Sequence, residues 1–168
     1  VSTLNANLGG VTANSAIVPA AINNGDISVF VSNPSDVVID VNGYFAPPAA
    51  GGLSLFALTP CRVLDTRTSP VRPPTANRFD VSVALSGCGA PTTAQSFVLN
   101  ATVVPPGTFG FLTLWPAGTT QPLVSTLNAI DGAITSNMAI VPTATGAISA
   151  FGSNPVELIL DISGYFAP

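Results

Sequence analysis

The sequence has no lysine and no histidine, and its only basic residues are Arg62, Arg67, Arg72 and Arg78, all within one segment. Without a histidine or lysine base, no Ser, Thr or Cys nucleophile has the partner that activates it. The sequence therefore predicts a protein that is not an enzyme. Four arginines in a chain of net charge −4 do not prepare a phosphate-neutralising surface, which excludes nucleic acid as an expected partner. A basic membrane-surface helix is missing for the same reason. Charged residues of both signs make up only 7%, against about 25% in an ordinary soluble domain. Hydrophobic residues reach 47% and mean hydropathy is +0.54, yet no stretch supplies the ~20 unbroken apolar residues of a membrane helix. The best candidate, "VNGYFAPPAAGGLSLFALTPC", is broken by Pro and Gly. No secretory leader is visible, so the chain reads as a mature or excised form.

Cysteine is also scarce: Cys61 and Cys88 are the only two. They lack the further Cys or His ligands of a zinc site, and no metal or cofactor is expected. As a disulfide they would close a loop of about 27 residues, worth roughly 3 kcal/mol in the chain-entropy model. Such a bond implies an oxidising, extracellular or cell-surface setting.

What is present is a repeat. "VSTLNANLGGVTANSAIVPA" at the start matches "VSTLNAIDGAITSNMAIVPT" from position 124. "GDISVFVSNPSDVVIDVNGYFAP" likewise matches "GAISAFGSNPVELILDISGYFAP" after one two-residue gap. Roughly 26 of 45 aligned positions are identical, which marks an internal repeat. The repeated piece, 1–47 and 124–168, is a tail half; the single piece between them, 48–123, is a head half. Residues 48–168 then form a complete module, and 1–47 is a closing half without an opening half. Either the chain belongs to a longer array, or a neighbour supplies the missing half, or all three pieces close into one body.

The patterning predicts an all-β fold, a sandwich or barrel of short antiparallel strands. Short runs rich in Val, Ile, Phe and Thr alternate with Gly, Pro and Asn turns, and no helical period is sustained. Strands are expected at 1–6, 11–19, 27–32 and 36–45, and in the second copy at 124–129, 133–141, 147–152 and 156–166. The head half offers 61–66, 79–85, 95–104 and 109–115. In "DVVIDVNGYF", Val37, Ile39 and Val41 face one way and Asp36, Val38, Asp40 and Asn42 the other. The copy repeats this with Leu158, Leu160 and Ile162 opposite Glu157, Ile159, Asp161 and Ser163. "NPSD" and "NPVE" precede these strands as turns.

Asp40 and Asp161, with Asp36 and Glu157 on the same faces, are the carboxylates that could hold calcium. The dense ligand spacing of a calcium loop is missing, so hydrogen bonding within the fold is the expected role. Duplicated carboxylates on matching strands serve a fold better than a glycosidase cleft. In "CRVLDTR", Asp65 and Arg67 share a face while Arg62 has the opposite parity. The pair is either an anion site or a local ion pair that ties the loop to Arg72 and Arg78. Trp115, Tyr44, Tyr165 and Phe109 are candidates for stacking on sugar rings, with core packing as the alternative. Asn100 lies in the sequon "NAT", but in an apolar strand.

The run "TPCRVLDTR", followed by "VLNATVV", "GFLTLWPAG", "VSTLN", "NMAIVP" and "LILDISGYF", resembles the repetitive β-rich modules of large secreted bacterial surface proteins. The resemblance covers 53–168, and 1–47 matches its latter part. It implies an extracellular accessory module with Cys61 and Cys88 at its usual cysteine pair, and it brings no catalytic residues.

Two roles follow as expectations. The first is a secreted structural subunit that polymerises with other copies of itself, by strand or half-module complementation, into a filament or surface array. Sheet edges without lysine are open to pairing, and a non-closing contact makes a fibre. Val1, Leu4, Val11, Ile17, Ile159, Ile162 and Tyr165 are the expected interface. The second is a carbohydrate-binding or adhesive accessory module, with Asp65, Arg67 and Trp115 as ligand candidates.

Overall fold

The computed structural model describes residues 2–5, 10–47, 49–68 and 78–168. Among them there is no helix, and the strands run β1 Ser54–Asp65, β2 Phe79–Val81, β3 Ser96–Val104, β4 Phe109–Pro116, β5 Leu127–Ala129, β6 Thr135–Pro142, β7 Ile148–Gly152 and β8 Glu157–Ala167. All pair antiparallel. They form two four-stranded sheets, in the orders β1-β8-β3-β6 and β2-β7-β4-β5.

Period-2 patterning sets which side chains face inward. On β3, Phe97, Leu99, Ala101 and Val103 point into the core and are fully buried; on β8, Leu158, Leu160 and Ile162 join them. The other sheet contributes Phe109, Leu112 and Leu114 from β4, Leu127 from β5, and Ile148 and Ala150 from β7. Facing apolar layers that interdigitate in this way make a β-sandwich. Cys61 on β1 is bonded to Cys88, with a Cα–Cα separation of 5.6 Å, and ties the loop after β2 to the edge of the first sheet.

The strand orders carry the main architectural result. Strands β1 to β4 belong to the head half and β5 to β8 to the tail half. In both sheets head and tail strands alternate without exception. Among the described residues no tail strand hydrogen-bonds to another tail strand, and no head strand to another head strand. There the two halves are each other's only ladder partners, so neither half has a sheet of its own.

That alternation explains what happens to the first copy. Strands were expected at 1–6, 11–19, 27–32 and 36–45, but the described residues of 2–47 form none. The sequence signals are those of the second copy. The head half 48–123 is already filled by 124–168, and the described backbone groups of 2–5 and 10–47 form no ladder. Almost all of these residues are exposed, including Ile22, Phe30, Val38, Val41 and Tyr44 at more than 80%. Residues 2–47 are hereafter called the arm. In the head half, β1 begins well before the expected residue 61, and β2 is shorter than the expected 79–85.

Candidate functional site

The joint between head and tail is the site on which chemistry of the chain converges. Arg62 on β1 reaches Asp161 on β8 through Nε, and its Nη2 donates to Asp161 Oδ2 at 3.3 Å. The hydroxyl of buried Thr66 donates to Glu157 and accepts the backbone N–H of Leu158 at 2.9 Å. In the other sheet, Ser149 Oγ donates to Asp80 Oδ1 at 2.6 Å. Asn128 Nδ2 donates to the Gly110 carbonyl at 3.0 Å. Ser153 Oγ accepts from Phe111 N at 3.0 Å, and Thr126 Oγ1 accepts from Leu114 N at 2.9 Å. Each bond joins one half to the other, and those to Leu158 N, the Gly110 carbonyl, Phe111 N and Leu114 N satisfy backbone groups.

The tail side chains in these bonds are Thr126, Asn128, Ser149, Ser153, Glu157 and Asp161. By the sequence match their counterparts in the arm are Thr3, Asn5, Ser28, Ser32, Asp36 and Asp40. Five are identical and the sixth exchanges one carboxylate for another. The arm thus carries the full polar key of a tail, with no head to receive it.

The arm also holds local features of a seated tail. Asn137 Nδ2 donates to the Thr126 carbonyl at 2.7 Å, and its counterpart Asn14 donates to the Thr3 carbonyl at 2.6 Å. Gly146 turns the tail at φ +75°, and its counterpart Gly25 turns the arm at φ +75°. Only glycine takes that region without strain. Among the described residues the arm touches the module where Ser15 N donates to Asn137 Oδ1 at 3.1 Å and where the Phe45 ring lies 6.0 Å from that of its counterpart Phe166.

Asp65 and Arg67 form the local ion pair, at 2.7 Å. Hydrogen bonds from the Arg67 guanidinium hold the Asp65 carboxyl down at about 2. Arg62, expected on the opposite face, also reaches Asp65 at 3.1 Å. The register shift between Arg62 and Leu64 changes the parity of β1 at that point. Arg78 pairs instead with Asp80, at 3.4 Å, so it does not tie the Asp65 loop; Arg72 lies outside the described residues. The Asp80 carboxyl is lowered chiefly by the Ser149 hydroxyl and next by Arg78.

Several expected site residues are elsewhere in function. Phe109 is buried in the core, and Trp115 is buried on the other face of its sheet, with the Arg78 guanidinium 5.8 Å from its ring centroid and the indole N–H donated to the Thr119 carbonyl at 3.1 Å; neither offers a face to a sugar. Tyr165 stacks on Phe56 at 5.2 Å, while Tyr44 is exposed. Of the expected interface residues, Ile162 is fully buried in the core and cannot meet a second chain while the module is closed, whereas Ile159, on the opposite face of β8, is 7% exposed. Leu4, Val11 and Ile17 are exposed on the arm, and Val1 lies outside the described residues. Asn100 is exposed on the outer face of β3. Among the described residues no cluster of His, Cys, Asp or Glu is arranged to hold a metal ion, and no helix is long and apolar enough to cross a membrane.

No family model, curated protein or solved structure matches the chain.

Proposed function

We propose that this protein is a secreted structural subunit that joins to other copies of itself by half-module complementation, building a filament or surface array. The observation that carries the reading is the strict alternation of head and tail strands in both sheets, together with an arm that repeats the tail and has no strand partner. Within residues 1–168 the order tail, head, tail leaves one tail more than there are heads. That excess tail is the donor, and a head half of the same kind, opened in a neighbouring copy, is the acceptor. Strand addition would give the arm its ladder bonds and remove its exposed Val, Ile and Phe side chains from water. The Cys61–Cys88 disulfide supports an extracellular or cell-surface location. The resemblance to modules of secreted bacterial surface proteins points the same way. The glycan-binding alternative loses its principal aromatic platform with the burial of Trp115.

Sedimentation velocity and negative-stain electron microscopy test this reading. Assembly that grows with concentration, with a repeat matching one subunit and loss of assembly on deleting residues 1–47, is the expected result. A monodisperse monomer at high concentration would contradict it.

A further inference from the structure

The arm is joined to β1 through residues 47–53, and the geometry of that junction bears on where the arm goes. At the closed end of the module, Ala167 of β8 and Ser54 of β1 are register partners in an antiparallel pair. Ala46 is the arm's counterpart of Ala167. If the arm's last strand took the place of β8, residues 47–53 would close a β-hairpin onto β1. Hairpin loops are short, commonly two to about five residues, so this segment has length to spare. It already turns: Gly52 N donates to the Ala49 carbonyl at 3.0 Å, and Gly51 sits at φ +83°. The contact between Phe45 and Phe166 places the arm's end beside the strand it would replace.

The arm's apolar side chains also fit the same space. Ala150, fully buried, is matched by the larger Val29; Ile162 and Leu158, also fully buried, are matched by the smaller Val41 and Val37. The added methyl groups at one position are given back at the other two, a volume-conserving change of the kind cores accept. Gly164, where a Cβ would lie 2.8 Å from the Phe56 carbonyl, is matched by Gly43. One position fits less well. Gly152 is matched by Val31, and a Cβ there lies 3.0 Å from the Asn154 carbonyl and 3.3 Å from the Phe109 ring. Part of the room is recovered because Val156, 3.1 Å from the same point, is matched by Ser35.

We infer that the head half has two alternative occupants within its own chain: the arm enters it through the 47–53 hairpin and releases residues 124–168. The joint is then an exchange switch. In one state the arm is outside and the C-terminal tail is seated; in the other the arm is seated and the C-terminal tail becomes the free donor. This inference rests on the proposed competence of the arm as a tail, and it adds that the arm's first acceptor is its own head.

Cysteine trapping in the full chain tests it. Asp80 and Ser149 are register partners on β2 and β7, and Ser28 is the arm's counterpart of Ser149. The variant Asp80→Cys with Ser28→Cys can close a bond only when the arm occupies the place of β7; Asp80→Cys with Ser149→Cys reports the other state. On mild oxidation, with the bond mapped by mass spectrometry, the expected result is a Ser28→Cys link within single chains. Adding Val31→Gly should raise its yield several-fold. If the control closes and the Ser28→Cys link forms only between two chains, exchange within the chain is overturned and assembly by complementation stands. If the control closes and no link to Ser28→Cys forms in either species, the arm is not a competent tail, and both readings fall.

Discussion

Arg62 and Asp161 face each other across the β1–β8 ladder, one from the head half and one from the tail half, with the Arg62 Nη2 to Asp161 Oδ2 bond at 3.3 Å. The same arginine also reaches Asp65, so one guanidinium links the joint to the end of β1, within the segment that the Cys61–Cys88 bond closes. Its side chain is about half exposed, at 49%, and water screens the pair. A double-mutant cycle with Arg62→Ala and Asp161→Ala is expected to give a coupling of about 0.2–1 kcal/mol by urea unfolding. A coupling of several kcal/mol would mean the pair is desolvated.

Two glycines in the same local sequence, "GYF", are expected to respond differently. A methyl group on Gly164 would sit 2.8 Å from the Phe56 carbonyl, while one on Gly43 meets nothing within 4 Å. Gly164→Ala should destabilise the module by about 1–3 kcal/mol through overpacking against backbone. Gly43→Ala should stay within about 0.5 kcal/mol. Equal losses at both positions in thermal melts would show that the arm is packed in the dominant state.

Acid should unfold the module late and in one direction. The folded-state values of Asp65, at about 2, and of Asp80 are both lowered. A depressed carboxylate adds stability that is complete above its unfolded-state value, about 4. That stability is lost as pH falls through the folded value. Melting temperature should therefore be flat from about pH 8 to pH 5 and fall below about pH 4. With no histidine in the chain, a loss of stability between pH 8 and 5 would contradict this assignment.

Reducing the Cys61–Cys88 bond, which spans a sequence separation of 27, should cost about 3 kcal/mol in the chain-entropy model. For a module of this size that lowers the melting temperature by on the order of 10 °C. Matched melts with and without reductant measure it, and an unchanged midpoint would mean the head half holds that loop without the bond.

The all-β fold was legible because alternation is a local property. β3, β4, β6, β7 and β8 lie close to where Val, Ile and Phe alternate with polar residues. β1 was harder to read: "LSLFALTP" carries a proline, which reads as a break, yet β1 is an edge strand with an irregularity between Ala57 and Cys61, where Pro60 is tolerated. That edge irregularity, and the second one after Arg62, also hid the approach of Arg62 to Asp65. The arm shows the opposite limit. "VSTLNA" is a strand at Leu127–Ala129, and the described part of the same hexapeptide at the start is not. Strand formation there is decided by whether β4 is available as a partner, and local sequence carries no record of that. The burial of Ile162 was within reach, since it follows from the inward parity of β8; that of Trp115 was not, because the indole lies on the opposite face of β4 from Leu112 and Leu114 and is covered by Arg78 and the turn at Thr119.

The most direct test of the account mixes three polypeptides: the head half 48–123, the C-terminal tail 124–168 and the arm 1–47. Because head and tail strands alternate throughout, each piece alone should lack a cooperative melt. Adding either 124–168 or 1–47 to the head half should produce a one-to-one complex with β-sheet circular dichroism and cooperative unfolding. A head half that folds with 124–168 but stays unfolded with saturating 1–47 would show that the arm resembles a tail in sequence without being able to act as one.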